Sequence, residues 1–375
     1  MMPKNVLGMV YSNSYDSCLG GLTARRTMGS VPFGGRYRFI DFMLSNLVNC
    51  GITKVGLVAN SNYHSLMDHV GSGRPWDLSR KTDGLFILPP FDAAATHGDA
   101  SNRIDVLNRI MDFIVRSKQE YVLLCDSNFI CNMDFESVFD FHTAKNADVT
   151  IVYCEGERPH LENTMVFEVN GDDKITKVSV DPKPCGGVKY SANIILIRKA
   201  LLERLIGDAE SYNYGSFEKD IIQKNVEHLN IYGYKCRDRN FTVDSLVSYY
   251  DANMALLEKD CRTSLFNPDR PVFTKVRNDM PVIYGIGSKA GNSLIADGCI
   301  IEGTVKNSII FRGVRIAKGA VVENSIIMQD AFVGALLWTK TRLSRPTNRF
   351  RATKRIPYMS AKASSSDEAY CSNQK

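Results

Sequence analysis

Carboxylates that a β-strand delivers to a loop can hold a divalent cation, and arginines beside them can neutralise a bound anion. Three acids stand at such places. Asp126 follows the apolar run Tyr121–Cys125, Asp134 comes shortly after it, and Asp244 precedes the segment Tyr249–Met254. The cations near such strand ends are Arg25, Arg26, Arg36 and Arg38. Each group also has a plainer role open to it: helix cap or loop for the aspartates, surface cation for the arginines. The six histidines are dispersed, and His64, His69 and His97 read as loop or core residues rather than catalysts. None of the ten cysteines forms a C-x-x-C pair, and several lie in apolar runs such as Ile151–Cys154. That pattern predicts buried free thiols, and neither structural zinc nor a disulfide framework.

The elements that position these groups follow from hydrophobic period. Val6–Val10 is a strand. Ile40, Met43, Leu44, Leu47 and Val48 share one helical face, with Gly51 where a C-terminal cap belongs. Ile52–Val58 is a second buried strand, so the unit is βαβ and the pair parallel. Further strands are expected at Tyr121–Cys125, Asp148–Cys154 and Ala192–Ile197, and helices at Asn102–Val115 and Lys199–Ile206. This is a doubly wound, mixed-parallel α/β domain over residues 1–255, followed by a linker over 256–285. Ligands of such sheets bind at the carboxyl ends of the strands.

The period then changes. Asn292-Ser293-Leu294-Ile295, Asn307-Ser308-Ile309-Ile310 and Asn324-Ser325-Ile326-Ile327 repeat at offsets of 15 and 17. Aliphatics return every six residues, at Ile295 and Ile301 and again at Ile310, Ile316 and Val322, with Gly298, Gly303, Gly313 and Gly319 between them. A six-residue return is the hexapeptide pattern of a parallel β-helix, expected over 286–334. After Gly334 the beat stops. Residues 335–375 hold nine Lys/Arg against two Asp/Glu, leaving the rest of the chain near neutral at 37 against 39. The expectation is a basic, disordered tail outside the solenoid, produced by a change of reading frame. No nucleic-acid or membrane partner is expected. With no apolar run long enough to span a bilayer, and a first strand too short for a signal-peptide core, the expected location is cytoplasmic.

One stretch is specific. SVPFGGRYRFIDF at 30–42, with Leu44-Ser45-Asn46, GLFILPPF at 84–91 and YYDANM at 249–254, closely resembles the bacterial glucose-1-phosphate adenylyltransferases. The resemblance runs from about residue 4 to about 330 and takes in the β-helix, which it implies is left-handed. It implies a nucleotidyltransferase domain, a tetramer, and synthesis of ADP-glucose and pyrophosphate from ATP and glucose 1-phosphate with Mg²⁺. It also implies where the chemistry should lie, and there the chain departs. The family's loop G-G-x-G-x-R-L is Asn13-Ser14-Tyr15-Asp16-Ser17-Cys18-Leu19, so the glycines are gone and the arginine position is Cys18. The lysine that follows is Met28, and the two metal aspartates fall on Asn128 and Thr242. On the sugar-phosphate side a lysine falls on Asp181, while Ser191 matches a serine of the sugar pocket. Gly34 and Gly35 complete the substrate-binding candidates.

This loss pattern resembles the GlgD-type regulatory subunits of that family. It implies a largely non-catalytic subunit that binds no cofactor itself. It joins a catalytic adenylyltransferase subunit, which uses the Mg²⁺, in a heterotetramer open to small-molecule effectors. Two alternatives stand beside it. One is an active adenylyltransferase with a rebuilt site: Asp126 and Asp244 lie two residues from Asn128 and Thr242, and a shift of two keeps the same strand face. The other is a stand-alone sensor of a sugar phosphate or nucleotide.

Overall fold

The computed structural model describes residues 5–88, 102–182 and 186–334, together with the backbone of Trp338–Lys340. The chain divides into two compact units, one holding residues 1–33 and 37–276, the other residues 34–36 and 277–375.

The first unit begins with β1 (Val6–Tyr11), buried along its whole length. Next come the hairpin strands β2 (Pro32–Phe33) and β3 (Tyr37–Arg38), α1 (Phe39–Asn49), β4 (Lys54–Val58), α2 (His64–Val70) and β5 (Gly84–Leu88). Then follow α3 (Arg103–Val115), β6 (Tyr121–Asp126), β7 (Phe129–Cys131), α4 (Phe135–Ala144), β8 (Val149–Gly156), β9 (Met165–Val169) and β10 (Ile175–Val180). The unit closes with β11 (Val188–Arg198), α5 (Lys199–Ser211), β12 (Ile231–Lys235), β13 (Asn240–Thr242), α6 (Leu246–Ala255) and α7 (Lys259–Leu265).

The main sheet runs β10-β9-β11-β6-β1-β4-β5, with β8 and β12 joined beside β11. β6, β1, β4 and β5 are parallel, whereas β11 is antiparallel to β6, β8 and β9. The mixed sheet is the one expected. Buried aliphatics cover both of its faces, as the continuous apolar strands require. In register, Tyr11 faces Asp126, so β1 and β6 deliver their last residues side by side. β13 pairs with β7, setting Thr242 opposite Phe129.

The second unit is a stack of short strands in three parallel sheets. Ile301, Ile316 and Val333 align on one face, Val305 and Val322 on the second, and Ile295, Ile310 and Ile327 on the third. These residues form the core of the stack, as the six-residue beat predicts. Asn292, Asn307 and Asn324 all sit at positive φ (43, 46 and 47°). Asparagine tolerates that left-handed corner better than most residues. Each following serine receives or passes on a link: Ser308 N donates to Ser293 Oγ and Ser325 N to Ser308 Oγ, both at 3.2 Å. The repeated Asn-Ser is therefore a corner and a rung. At another corner, a Cβ on Gly303 would lie 2.4 Å from the Ala320 carbonyl oxygen, so only glycine fits.

Three boundaries move from their expected places. The segment expected as a linker contains α7, which buries Cys261 and Leu265, and the first unit continues to residue 276. The solenoid begins at Ile283–Tyr284, which pairs with Ile300–Ile301. It also continues past 334, because Trp338–Lys340 pairs with Val321–Glu323. Backbone pairing needs no aliphatic beat, which is why the loss of the repeat did not mark the last strand. The tail expected to be disordered lies, from 341 on, outside the described residues, as does His97.

Candidate functional site

The carboxyl ends of β1 and β6 carry a buried polar cluster. Asp126, the last residue of β6, is fully buried. Both of its oxygens accept from Arg103 Nη2 at 2.8 Å, and Ser14 Oγ donates to Oδ1 at 3.0 Å. Arg103 opens α3, whose cap is Asn102, with Oδ1 accepting from Ile104 N at 3.0 Å. The guanidinium is also 3.9 Å from Glu218 and packs over the rings of Tyr11 (5.1 Å) and Phe217 (5.8 Å). Asn193 lies at φ 54° where β11 bulges against β8, and its Nδ2 donates to the Tyr15 hydroxyl at 2.8 Å.

The electrostatics close on themselves. Burial works against the charge of Arg103, yet Asp126 and Glu218 outweigh it and hold the guanidinium above its ordinary range. Burial pushes the Asp126 carboxyl up against the pull of Arg103 and Ser14. Burial likewise pushes the Tyr15 hydroxyl well up. The loop that would need glycines to let a triphosphate approach its amides instead folds around its own side chains. Asp16 accepts from Met28 N at 2.6 Å and from Asn13 Nδ2 at 2.7 Å, and burial raises its pKa to about 6.

The residues singled out from the sequence fall as follows. Met28 is completely buried. Cys18 is half-buried, and burial raises its thiol pKa. Asn128 and Thr242 are brought together: Asn128 Nδ2 donates to the Val243 carbonyl at 3.3 Å, and Val243 N donates to Asn128 O at 3.0 Å. Both are neutral. Ser191 Oγ accepts from Asn193 N at 3.0 Å and so serves the bulge. Asp181 accepts from Arg158 Nη1 (3.1 Å), Asn163 N and Thr164 N, which makes it a loop organiser. Gly34 and Gly35 (φ 58 and 84°) form the turn between β2 and β3, a conformation that explains the glycine pair, and residues 34–36 group with the second unit.

Magnesium does not fit this residue set. Asp126 is occupied by Arg103 and Ser14. Asp244 accepts from His160 N at 2.8 Å and from Ser245 Oγ at 3.0 Å, next to the α6 cap. Asp134 caps α4, accepting from Glu136 N at 2.9 Å and Ser137 Oγ at 2.7 Å. Among the described residues no group of three or more His, Cys, Asp or Glu is placed to hold a metal ion. Of the arginines, Arg38 donates to Ser65 O at 2.6 Å at the start of α2, and Arg36 lies 3.8 Å from Asp297. Arg25 is exposed and Arg26 half-buried.

Sequence reasoning missed Tyr11, Tyr15, Arg103, Asn193 and Glu218. The start of α3 was legible, but nothing local ties Arg103 to an aspartate 23 residues later or to Glu218. No helix among the described residues is long and apolar enough to cross a membrane.

Residues 17–259 match the nucleotidyl transferase family, and residues 284–340 match the GlmU-like C-terminal hexapeptide family. The glycogen biosynthesis protein GlgD of Geobacillus stearothermophilus is 34% identical over 86% of this chain and 84% of its own length. GlgD of Bacillus subtilis (strain 168) is 33% identical over 85% and 83%. The glucose-1-phosphate adenylyltransferase of Geobacillus stearothermophilus is 30% identical over 86% and 84%. With most of both partners aligned and the family's sheet and hexapeptide stack present, the chain belongs to the nucleotidyl transferase family, in the group that GlgD and the glucose-1-phosphate adenylyltransferases make up.

Proposed function

We propose that this chain is a regulatory, largely non-catalytic subunit in glycogen biosynthesis. It acts with a catalytic glucose-1-phosphate adenylyltransferase that makes ADP-glucose and pyrophosphate from ATP and glucose 1-phosphate. One observation carries the reading: the end of the sheet where nucleotide chemistry would occur is filled by the chain's own ion pair, Arg103 with Asp126. Attack on the α-phosphorus builds negative charge on phosphate oxygens, which cations and a metal must stabilise. Met28, Asn128 and Thr242 supply no charge at the positions where the family resemblance requires it. Loss of a single stabilising donor lowers a rate by about 10²–10³, and several are missing together. The subunit itself binds no Mg²⁺ in this reading; the catalytic partner does. A heterotetramer and small-molecule effectors belong to the same proposal.

The test is an assay of the purified chain alone, of a catalytic adenylyltransferase alone, and of the two mixed. The mixture is expected to show a changed maximal rate or effector response, with the isolated chain at background. Robust ADP-glucose synthesis by the isolated chain would overturn the proposal. Ligand binding by the chain with no effect on the partner would favour a stand-alone sensor.

A further inference from the structure

β8 and β12 run parallel, with Tyr153 opposite Lys235, and the Cys236 amide donates to the Tyr153 carbonyl at 2.8 Å. Cys154, within β8, and Cys236, the residue that follows β12, are thus the next pair along that register. Neighbouring strands lie about 4.8 Å apart, and side chains at the same register step share a face. A disulfide needs a Cα separation of about 4.4–6.8 Å, so the backbone is already suitable. Both are free thiols. Asn240 lies against both sulfurs: its Nδ2 donates to Cys236 Sγ at 3.5 Å, and its Oδ1 accepts from Cys154 Sγ at 3.6 Å.

The two thiols are not equivalent. Contact with the Cys154 thiol holds Cys236 below its ordinary pKa, and the same contact with burial pushes Cys154 up. The Asn240 amide donates to Cys236 Sγ and accepts from Cys154 Sγ, an arrangement that favours a thiolate at Cys236 and a thiol at Cys154, so Cys236 is the nucleophile and Cys154 the resolving partner. Cys236 is 8% exposed and Cys154 4%. That opening suits a water-sized oxidant and excludes a protein one. Tyr190 stands opposite Cys154 in the β8–β11 pairing, and Asn240, which touches both sulfurs, opens β13, whose last residue is Thr242, the position where the family resemblance places a metal aspartate.

We propose that Cys154 and Cys236 form a peroxide-responsive dithiol site that closes to a disulfide and shifts Tyr190 and Thr242. The Cys236 thiolate attacks one oxygen of hydrogen peroxide and the O–O bond breaks. Cys236 becomes a sulfenic acid, and the departing hydroxide takes up a proton and leaves as water. Cys154 sulfur then attacks the sulfenic sulfur, displacing hydroxide, which leaves with the Cys154 proton as a second water. The balance is two thiols and one peroxide to one disulfide and two waters. The site is independent of which reaction the chain serves.

The full-length protein would be treated with hydrogen peroxide, its remaining thiols blocked with iodoacetamide, and digested without reduction for mass spectrometry. The expected product is one peptide pair joined through Cys154 and Cys236, released by dithiothreitol. The Cys236 thiol should disappear about tenfold faster than that of Cys50 or Cys261. Cys154→Ser should leave Cys236 as a sulfenic acid trapped by dimedone, and Cys236→Ser should abolish the link. Hydrogen exchange over residues 240–243 should differ between the oxidised and reduced wild-type protein. Equal oxidation of all buried cysteines, a Cys131–Cys236 link, or conversion of wild-type Cys236 to sulfinic acid with no linked peptide would overturn the site. Identical exchange in the two forms would overturn its coupling to Thr242.

Discussion

Arg103 occupies the end of the sheet with a charge that cannot be given up, because a guanidinium does not titrate at accessible pH. Its neutraliser is Asp126, so replacing that acid tests the arrangement directly. Asp126→Asn keeps the shape and removes the counter-charge. It is expected to lower stability by about 3–5 kcal/mol, the usual result of leaving one partner of a buried ion pair uncompensated, read as a drop in the urea midpoint. The converse experiment restores charge. Met28→Lys, Asn128→Asp and Thr242→Asp in one chain return the groups that the family pattern prescribes. The triple variant is expected to remain inactive in an ADP-glucose assay. Tyr15 and Arg103 still fill the site, and the ammonium introduced by Met28→Lys would enter a fully buried position. Measurable synthesis would show that the substitutions alone had disarmed the fold. The sequence disclosed which groups were missing, since absence at a fixed motif position is local information. It could not disclose what replaced them. Ser14, Tyr15, Arg103, Asn193 and Glu218 meet only through sheet register and a bulge at Asn193.

At the scale of elements, the hexapeptide stack was the most legible part. Each Asn-Ser repeat encodes its own corner, and the change in offset from 15 to 17 has a local cause. Two residues, Glu302 and Gly303, separate the strands at one corner, whereas Ala317–Ala320 separate them one coil later. Asn307→Ala is expected to destabilise the stack by about 1–2 kcal/mol, because alanine meets the left-handed penalty at that corner, read by urea unfolding. The antiparallel hairpin β9–β10 and the helix α7 were not foreseen. Their sequences are partly exposed and charged, and packing against the sheet rather than periodicity settles them. Helix α4 carries a pH signature. His142 is buried, with Nδ1 2.8 Å from Thr150 Oγ1. Burial first, and Arg198 second, lower its pKa from 6.5 to about 4. The folded state therefore keeps it neutral while the unfolded chain takes up a proton. Its contribution is intact above 6.5 and is lost as pH falls through the interval down to about 4. At about pH 5 the loss should be of order 1–2 kcal/mol. His142→Phe should flatten the difference between urea midpoints measured at about pH 7 and about pH 5; an unchanged slope would place the titration elsewhere.

Across the whole molecule, each compact unit contains its own core, and both of the family's parts are present. A sheet, a bulge and a hexapeptide stack without the phosphate-binding groups is the arrangement that the proposed regulatory role requires. The counter-ion of Arg103 is supplied by the polypeptide itself, and that has a thermal consequence. An enzyme that needs nucleotide and metal to complete its pocket melts at a temperature that climbs with their concentration, since ligand bound only to the native state adds RT ln(1 + [L]/Kd). Here the place is taken from the moment of folding. On the proposed reading, the melting curve of the isolated protein should stay fixed as ATP and Mg²⁺ are raised together.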